Sequence, residues 1–347
     1  MKIVSQAPCR VDLAGGTLDI WPLYLFHHDA LTVNFAVNRY TTCTLTRRED
    51  SRFEVKSVDL KVAKSYATMV DLLAEKNSKV KLVAEIVRFF AKKLPENVGW
   101  EVVTNSEAPA GAGISGSSAL IIATVSAMNV AAGTKYTIEK IREISQNIEA
   151  RIIRVPTGCQ DYYPAMYGGV SAIHLGPAGI ERIALAVNPT ELNRRIVLAY
   201  TGEPRNSGIN NWEVTKAHIG GDKAVHKNFD HISAIANGMR QALESHDWTG
   251  VARLLREEWS HRKKNAPGIT TPLIDKLVTE TRRKGALAAK VCGAGGGGCV
   301  LFFVEPEAQT SVADLIVRLG ATIVPVEVAP KGVRVQTTKP RVKVAGV

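Results

Sequence analysis

The feature that most constrains the fold is a glycine- and serine-rich loop between an extended segment and an apolar helix. Trp100–Val103 has the character of a strand, Pro109–Ala119 reads Pro-Ala-Gly-Ala-Gly-Ile-Ser-Gly-Ser-Ser-Ala, and the apolar run Ser117–Ala132 ends before Gly133. The pattern predicts a strand, a tight loop and a helix in that order. Because the first N–H groups of such a helix lack intrahelical partners and carry the positive end of its dipole, the loop predicts a phosphate site.

This loop differs from the common lysine-containing phosphate loop. The pattern G-x-x-x-x-G-K-[ST] needs a lysine that the segment lacks, and two serines, Ser117 and Ser118, stand where the helix begins. Glycines let the main chain approach a ligand closely, and the two hydroxyls can reach phosphate oxygens or Mg²⁺. A plain tight loop with an N-capping serine is the structural alternative.

A second glycine run, Gly293–Gly298, satisfies G-x-G-x-x-G. A dinucleotide-binding fingerprint needs a helix after the glycines, but the following Cys-Val-Leu-Phe-Phe-Val predicts a strand. We therefore expect a hairpin-type connection between Ala288–Cys292 and Cys299–Val304. Its main chain can lie against a ligand, or it can serve only for close packing between domains.

Two acidic residues are candidates for chemistry near the first loop. Asp161 lies in the turn Pro156-Thr-Gly-Cys-Gln-Asp-Tyr-Tyr-Pro, and Glu149 stands on the preceding helix. A carboxylate beside an acceptor hydroxyl can orient it and take its proton, and Mg²⁺ prefers carboxylates combined with phosphate oxygens. The structural alternatives are a turn-forming aspartate and a solvated helix charge.

The N-terminal segment adds a cation and a further acid. It reads Arg10-Val-Asp-Leu-Ala-Gly-Gly-Thr-Leu-Asp19-Ile-Trp, with the arginine on a strand-like stretch and a Gly-Gly turn after it. Arg10 can stabilise charge on a transferring phosphoryl group, and Asp19 can accept hydrogen bonds from hydroxyls. A structural ion pair or turn is the alternative for each residue.

Length and charge bound the remaining possibilities. The 347 residues exceed the usual size of one core, so we expect two domains. The net charge of +11 suits a polyanionic small substrate or nucleic acid, but no basic stripe is interleaved with aromatic residues, and we expect no nucleic-acid partner. No apolar run spans a bilayer and the N-terminus lacks a signal-peptide pattern, so we expect a cytoplasmic protein with no membrane partner and with reduced cysteines.

The order of elements indicates an α+β fold rather than a doubly wound α/β fold. Thr137 is predicted to cap a helix, and residues 207–284 are mostly helical in pattern. A change in pattern near residue 180 predicts domains at 1–180 and 181–347. The predicted strands of the first part are Lys2–Gln6, Leu31–Asn38, Thr41–Arg47, Phe53–Val58 and Trp100–Val103.

The motifs in this order resemble the GHMP kinases. R-x-D-L-A-G-G-x-x-D, P-x-G-x-G-I-x-x-S-S-A, a G-x-x-D segment and G-A-G-G-G-G follow one another over nearly the whole chain. Gly158–Asp161 and Tyr200–Ser207 are most similar to the sugar 1-kinase branch, which includes heptose-7-phosphate, fucose and galactose kinases. The first motif lacks the Glu-His pair of the galactose enzymes and has Gly16-Thr17-Leu18 instead.

The resemblance implies a fold and an activity. The fold is the two-domain GHMP kinase fold, with a ribosomal-protein-like N-terminal domain for ATP, a ferredoxin-like C-terminal domain and the site between them. The activity is transfer of the γ-phosphoryl group of ATP, with Mg²⁺, to a sugar or sugar phosphate, with the anomeric hydroxyl as the expected acceptor. The sugar is not specified, and a homodimer is one expectation.

The resemblance also implies roles for single residues. Asp161 matches the catalytic base and Arg10 the arginine that stabilises the transition state, while Glu149 with Ser117 or Ser118 matches the metal site. Implied contacts to the acceptor are Asp19, Thr201, Gly202 and Arg205. Implied contacts to the nucleotide are Pro109, Gly111, Gly113, Ser115, Gly116, Ser117, Ser118, Gly295 and Gly296.

Three other functions stay open at this point. A dinucleotide-dependent oxidoreductase would rest on Gly293–Gly298, and tight NAD binding without ATP binding would favour it. A nucleic-acid-binding module would show steeply salt-dependent RNA binding without ATPase activity. Within the same family, a kinase for a non-sugar alcohol such as mevalonate is the third alternative.

Overall fold

The computed structural model describes residues 1–76, 79–95, 98–203 and 207–338, with the side chains of 207–210 left out. Arg205, an implied contact to the acceptor, lies outside these residues. Within the described ranges, no helix has the length and apolar character needed to cross a bilayer.

Strands and helices alternate irregularly, which confirms the α+β class. The strands are β1 (Lys2–Ala14), β2 (Leu31–Arg47), β3 (Phe53–Ser57), β4 (Val62–Tyr66), β5 (Trp100–Ser106), β6 (Val170–Gly176), β7 (Gly179–Leu185), β8 (Ile196–Tyr200), β9 (Ala286–Val291), β10 (Cys299–Val304), β11 (Thr322–Ile323) and β12 (Arg334–Thr338). The helices are α1 (Met69–Leu73), α2 (Lys81–Phe90), α3 (Gly116–Ala131), α4 (Ile138–Ile153), α5 (Tyr162–Tyr167), α6 (Pro189–Asn193), α7 (Ser207–Ile219), α8 (Lys223–Glu244), α9 (Trp248–Arg262), α10 (Pro272–Arg282) and α11 (Gln309–Arg318).

The larger sheet has eight strands among the described residues, in the order β12-β1-β2-β5-β3-β4, with the β6–β7 hairpin joined to β2. The two strands expected at Leu31–Asn38 and Thr41–Arg47 form one long strand, β2. The register between β2 and β1 shifts between Pro8 and Cys9. The residues of β2 between the partners of these two residues form a bulge, and the strand continues beyond it. The first half of β2 pairs with β6 and the second half with β5.

Helix α3 packs against β1 and β2 and is covered by α4 and α5. It is apolar around almost its whole circumference, which suits a helix enclosed on several sides. Thr137 caps α4 by accepting a hydrogen bond from the N–H of Lys140, as predicted. The apolar core thus fixes the start of α3 directly beside the end of β1.

The smaller sheet has the order β11-β8-β10-β9. Strands β9 and β10 are antiparallel and are joined by Gly293–Gly298, so the predicted hairpin is confirmed and no helix follows the glycines. Helices α9 and α10 pack against β9, and α11 packs against β8. The dinucleotide fingerprint therefore lacks the helix start on which it depends.

The larger sheet draws on both ends of the chain. Strand β12 pairs antiparallel with β1, and β7, which spans the expected boundary at residue 180, pairs with β6 in the same sheet. A division of the sequence at 1–180 and 181–347 thus cuts through one hairpin. The boundary stays a prediction.

Candidate active site

Most of the residues assigned from sequence line one cavity of about 400 Å³. It lies where the end of β1, the start of α3, the turn before α5, helix α9 and the β9–β10 loop meet. The predicted residues in its lining are Arg10, Asp19, Pro109, Gly111, Gly113, Ser115, Gly116, Ser117, Ser118, Glu149 and Asp161. Residues up to 151 positions apart in sequence therefore share one space.

The start of α3 is the predicted anion cradle. Ser115 precedes the helix in the left-handed region, with φ of 61°, and its side chain does not cap the helix. Its buried Oγ has no hydrogen-bond partner among the described residues. The first turn of α3 contains no acidic residue, so its N–H groups and dipole are left for a ligand.

The carboxylate of Glu149 accepts hydrogen bonds from three hydroxyl groups near the same helix start. Ser117 Oγ donates to Oε1 at 2.8 Å, Ser118 Oγ donates to Oε2 at 2.9 Å, and the Tyr162 hydroxyl donates to Oε2 at 2.5 Å. Burial raises the pKa of Glu149, and these hydrogen bonds only partly offset it. A buried carboxylate beside two hydroxyls is a set of hard oxygen donors of the kind that Mg²⁺ prefers.

Arg10 connects the first loop with Asp161. Its Nε and Nη2 both donate to Asp161 Oδ1, at 2.8 and 2.5 Å, and its Nη1 donates to the carbonyl of Gly113 at 2.7 Å. Burial opposes the charge of Arg10, but Asp161 and Asp12 raise its pKa, so the guanidinium stays cationic. One buried cation therefore contacts both the phosphate loop and the predicted base.

Asp19 faces the turn that contains Asp161. Its Oδ2 accepts the backbone N–H of Gln160 at 2.9 Å. A Cβ on Gly158 would lie 1.9 Å from the same oxygen, so the close approach of this turn requires glycine. Burial and the neighbouring Asp161 raise the pKa of Asp19 to about 6.

The remaining predicted residues lie beside the cavity rather than in its described lining. Thr201 donates through Oγ1 to the carbonyl of Gly298 at 3.0 Å, and the exposed Gly202 follows it. Gly295 packs against Ile269, where a Cβ would lie 2.6 Å from its carbonyl oxygen, and the N–H of Gly296 donates to that carbonyl. The β9–β10 loop lines the cavity through other residues, Gly293 and Ala294.

Sequence reasoning missed a buried charge network under the site. Asp12 accepts hydrogen bonds from Lys290 Nζ and from the N–H of Gly293, and Arg262 pairs with Glu258. Burial opposes ionisation of Asp12, but the lysine and two arginines hold its pKa well below the usual range. Two features could have indicated the network, because Asp12 shares a strand face with Arg10 and Lys290 interrupts an apolar strand.

Sequence reasoning also missed apolar residues in the lining of the cavity. They are Leu60, Leu82, Ile152 and Ile153, which come from three separate parts of the chain. Asn211 of α7 and Arg262 of α9 add polar groups elsewhere in the lining. Together the features make a cleft with apolar residues in its lining, the buried cation Arg10 and the helix start where an anion site is predicted.

Two family models match this chain. The model for the GHMP kinases N terminal domain matches residues 81–169, and the model for GHMP kinases C terminal matches residues 239–316. The chain belongs to the GHMP kinase family. As a GHMP kinase it has the family's two-domain α+β fold and is an ATP-dependent kinase with a small-molecule substrate.

Two curated kinases illustrate the range of relatives. A D-glycero-alpha-D-manno-heptose 7-phosphate kinase of Campylobacter jejuni is 28% identical over 88% of this chain and 91% of its own. A mevalonate kinase of Thermococcus onnurineus is 28% identical over 98% of this chain and 100% of its own. Each matches this chain over most of its own length.

A solved structure shares the fold. The crystal structure of a D-glycero-D-manno-heptose 1-phosphate kinase from Bacteroides thetaiotaomicron has a TM-score of 0.78, with 24% sequence identity. It covers 97% of this chain and 99% of its own. At this identity, the likeness establishes that the two GHMP kinases share a fold.

Proposed function

We propose that this kinase transfers the γ-phosphoryl group of ATP to a hydroxyl of a sugar or sugar phosphate, with the anomeric hydroxyl as acceptor. The observation that carries the proposal is the position of Arg10, whose guanidinium contacts both Gly113 of the phosphate loop and Asp161. The heptose phosphate kinases among the relatives support a sugar acceptor.

The triphosphate binds at the start of α3 in this proposal. The free N–H groups after Ser115 and the buried, unpartnered hydroxyl of that residue supply hydrogen bonds to phosphate oxygens. The apolar residues of the lining, which include Leu60, Leu82 and Ile152, receive the base of the nucleotide. The glycines of Pro109–Ala119 allow the main chain to approach the phosphates closely.

Glu149 and the two serines that bond to it would hold Mg²⁺. The donors fit, because all three supply oxygen and both serine hydroxyls lie within hydrogen-bond distance of the Glu149 carboxylate. Magnesium neutralises charge on the phosphates when it is bound there. The raised pKa of Glu149 supports this assignment, since a cation offsets the cost of its buried charge.

Asp161 is the residue that receives the proton of the acceptor hydroxyl. Both of its hydrogen bonds from Arg10 reach Oδ1, so Oδ2 is available to the hydroxyl. As the acceptor oxygen bonds to the γ-phosphorus, the bond from that phosphorus to the β–γ bridging oxygen breaks and ADP leaves. Arg10 stabilises the charge that develops, so the protein contributes mainly position and electrostatics.

The acceptor lies against Asp19 on the other side of Asp161. Asp19 and Asp161 meet at the turn that follows Gly158, so one sugar can place one hydroxyl on each. We also assign contacts with the acceptor to Thr201, Gly202 and Arg205, and the net charge of +11 favours an acceptor that carries phosphate.

An ADP-release screen tests the proposal. The purified protein is given ATP, Mg²⁺ and, in separate reactions, hexoses, uronic acids, deoxysugars, heptose phosphates and mevalonate. Phosphorus NMR then identifies the hydroxyl that carries the new phosphate. We expect turnover with one sugar class and a product phosphorylated at the anomeric position. Turnover with mevalonate alone would contradict a sugar acceptor and indicate a kinase for a non-sugar alcohol.

A further inference from the structure

Three histidines converge away from the kinase cavity. His27 follows the short 3₁₀ turn Leu23–Phe26, His218 lies in the last turn of α7, and His226 lies near the start of α8. Each ring offers one nitrogen to the group, and these three nitrogens lie within 4.8 Å of one another. His27 and His218 are buried, and His226 is partly buried.

The proton positions of two rings follow from their partners. His27 Nδ1 lies 2.7 Å from Asp230 Oδ1, so Nδ1 carries the proton and Nε2 keeps its lone pair. His226 Nε2 lies 2.8 Å from the carbonyl of His218, which can only accept, so its proton is on Nε2. A carboxylate that holds one nitrogen of a histidine while the other faces a metal is a common arrangement in metal sites.

The third ring has an unsatisfied nitrogen. His218 Nε2 lies 2.7 Å from His27 Nε2, so one proton lies between two ring nitrogens. His218 Nδ1 is buried without a hydrogen-bond partner among the described residues, and the whole residue is only 1% exposed. This nitrogen has a lone pair that can take up a proton, which allows Nε2 of the same ring to act as a ligand.

We propose that His27, His218 and His226 form a binding site for a divalent transition-metal ion of the Zn²⁺ class. Imidazole nitrogens favour such ions, whereas Mg²⁺ favours oxygen donors. In a tetrahedral zinc site the ligand nitrogens lie about 3.3 Å apart, so small ring rotations from the present 2.7 Å contact admit the ion. When the ion binds, the proton between His27 and His218 moves to Nδ1 of His218, so that both Nε2 lone pairs face the ion.

The ion would join two parts of the chain that are distant in sequence, the segment at His27 and the helices α7 and α8. Leu23–Phe26 follows the segment that contains Asp19, and α7 contains Asn211, which lines the kinase cavity. Metal binding therefore fixes α7 and α8 to the segment that follows the substrate-side aspartate. The site has no ligand in common with the proposed Mg²⁺ site at Glu149.

Titration of the full-length, tag-free protein tests the inference. The protein is treated with a chelator, dialysed, and titrated with Zn²⁺ by calorimetry, and with Co²⁺ by visible absorption, which reports tetrahedral coordination. We expect one ion per chain and a higher melting temperature with Zn²⁺. Absence of Zn²⁺ binding to the wild-type protein would overturn the proposal.

Variants locate the ion. We expect His27→Ala and His218→Ala to abolish binding, and Asp230→Asn to weaken it by about 10- to 100-fold, because the carboxylate orients His27. The matched control is His231→Ala, which removes one ring of the neighbouring His231–His261 pair, with centroids 4.7 Å apart.

A further variant guards against loss of folding. Circular dichroism checks each protein, and His226→Gln replaces the least buried ligand in case a core variant fails to fold. Unchanged Zn²⁺ affinity in folded variants of the three ligands, or loss of binding in the His231→Ala control alone, would contradict the site.

Discussion

At the scale of single residues, two neighbouring carboxylates of the cavity have different surroundings. The Asp161 side chain is 26% exposed and pairs with Arg10, whereas Asp19 is buried and accepts a backbone N–H from the turn beside it. Burial and the charge of Asp161 raise the pKa of Asp19 to about 6. Asp161 is therefore the carboxylate that pairs with a cation, and Asp19 is the one whose pKa is raised above that of an ordinary aspartate.

The first prediction concerns Asp161→Asn. We expect kcat to fall by about 10²- to 10⁴-fold, because the amide cannot take the proton of the acceptor hydroxyl. The affinity for a non-hydrolysable ATP analogue should change little, since the anion cradle at Ser115 is separate. Steady-state kinetics and equilibrium binding measure the two effects, and equal losses in both would contradict the assigned role.

The second prediction concerns Asp19→Asn and pH. The pKa of Asp19 is raised from 3.8 to about 6 on folding, so its charge lowers the free energy of unfolding above pH 6, and this penalty disappears below pH 4. We expect the variant to be more stable than wild type at pH 8, by at most ~3 kcal/mol, and nearly equal at pH 4. Urea unfolding at both pH values measures the difference.

A loss of stability in Asp19→Asn that is as large at pH 8 as at pH 4 would contradict the pKa argument. Kinetics on the same variant test its role separately. We expect the KM for the acceptor to rise, because the amide presents one acceptor oxygen instead of two.

At the scale of elements, the two glycine loops pack on each other. The N–H of Cys299 donates to the carbonyl of Ala112 at 2.7 Å, and the N–H of Gly298 donates to the carbonyl of Glu203 at 2.9 Å. A Cβ on Gly298 would lie 2.8 Å from the carbonyl oxygen of Ala112. The β9–β10 hairpin therefore supports the back of the phosphate loop through its main chain.

The third prediction compares Gly298→Ala with Gly221→Ala. Both glycines have a φ of 81°, but a Cβ on Gly221 would meet nothing within 4 Å. Each alanine bears the cost of a positive φ, and Gly298→Ala should lose about 1–3 kcal/mol more, because it pushes against the phosphate loop. Thermal unfolding measures the stability, and the KM for ATP should rise in Gly298→Ala alone. Equal effects in the two variants would exclude this support role.

At the scale of the whole molecule, buried charges join the two sheets beneath the cavity. Three cations, Arg10, Arg262 and Lys290, face three carboxylates, Asp12, Glu258 and Asp161. Lys290 and Asp12 are both fully buried, one on a strand of each sheet. Since a buried charge is costly without a partner, this network fixes how the smaller sheet meets the larger one.

The fourth prediction concerns Lys290→Met. We expect the free energy of unfolding to fall by about 3–5 kcal/mol, because Asp12 is left buried without its lysine. The double variant Lys290→Met, Asp12→Asn should recover part of the loss, since it removes the orphaned charge. Urea unfolding of the single and double variants at pH 7 checks this. A single variant within 0.5 kcal/mol of wild type would contradict the argument.

The contribution of Asp12 to the free energy of unfolding depends on pH. The pKa of Asp12 is depressed on folding, so its pairing stabilises the protein above the ordinary aspartate pKa and is lost as pH falls toward strong acid. The free energy of unfolding of Lys290→Met should therefore fall less than that of the wild type between pH 5 and pH 3. Urea unfolding at several pH values in this range measures the difference.

The sequence predicted local elements better than it predicted how distant elements pair. The cap at Thr137 and the hairpin at Gly293–Gly298 follow from local geometry and were predicted. The sequence did not predict the length of β1, the unbroken β2 or the pairing of β12 with β1 in the larger sheet. Pairing with distant strands decides where a strand ends. The roles given to the cavity residues stay predictions.

By itself, the sequence determined the local chemistry of this protein. A bend of small residues before an apolar helix predicts an anion site from the sequence alone, because glycine freedom and unpaired N–H groups are local properties. Only the tertiary structure brought Arg10 to Asp161, Lys290 to Asp12 and His27 to His218. Such contacts depend on strand register and on the packing of distant elements, which no local pattern in the chain encodes.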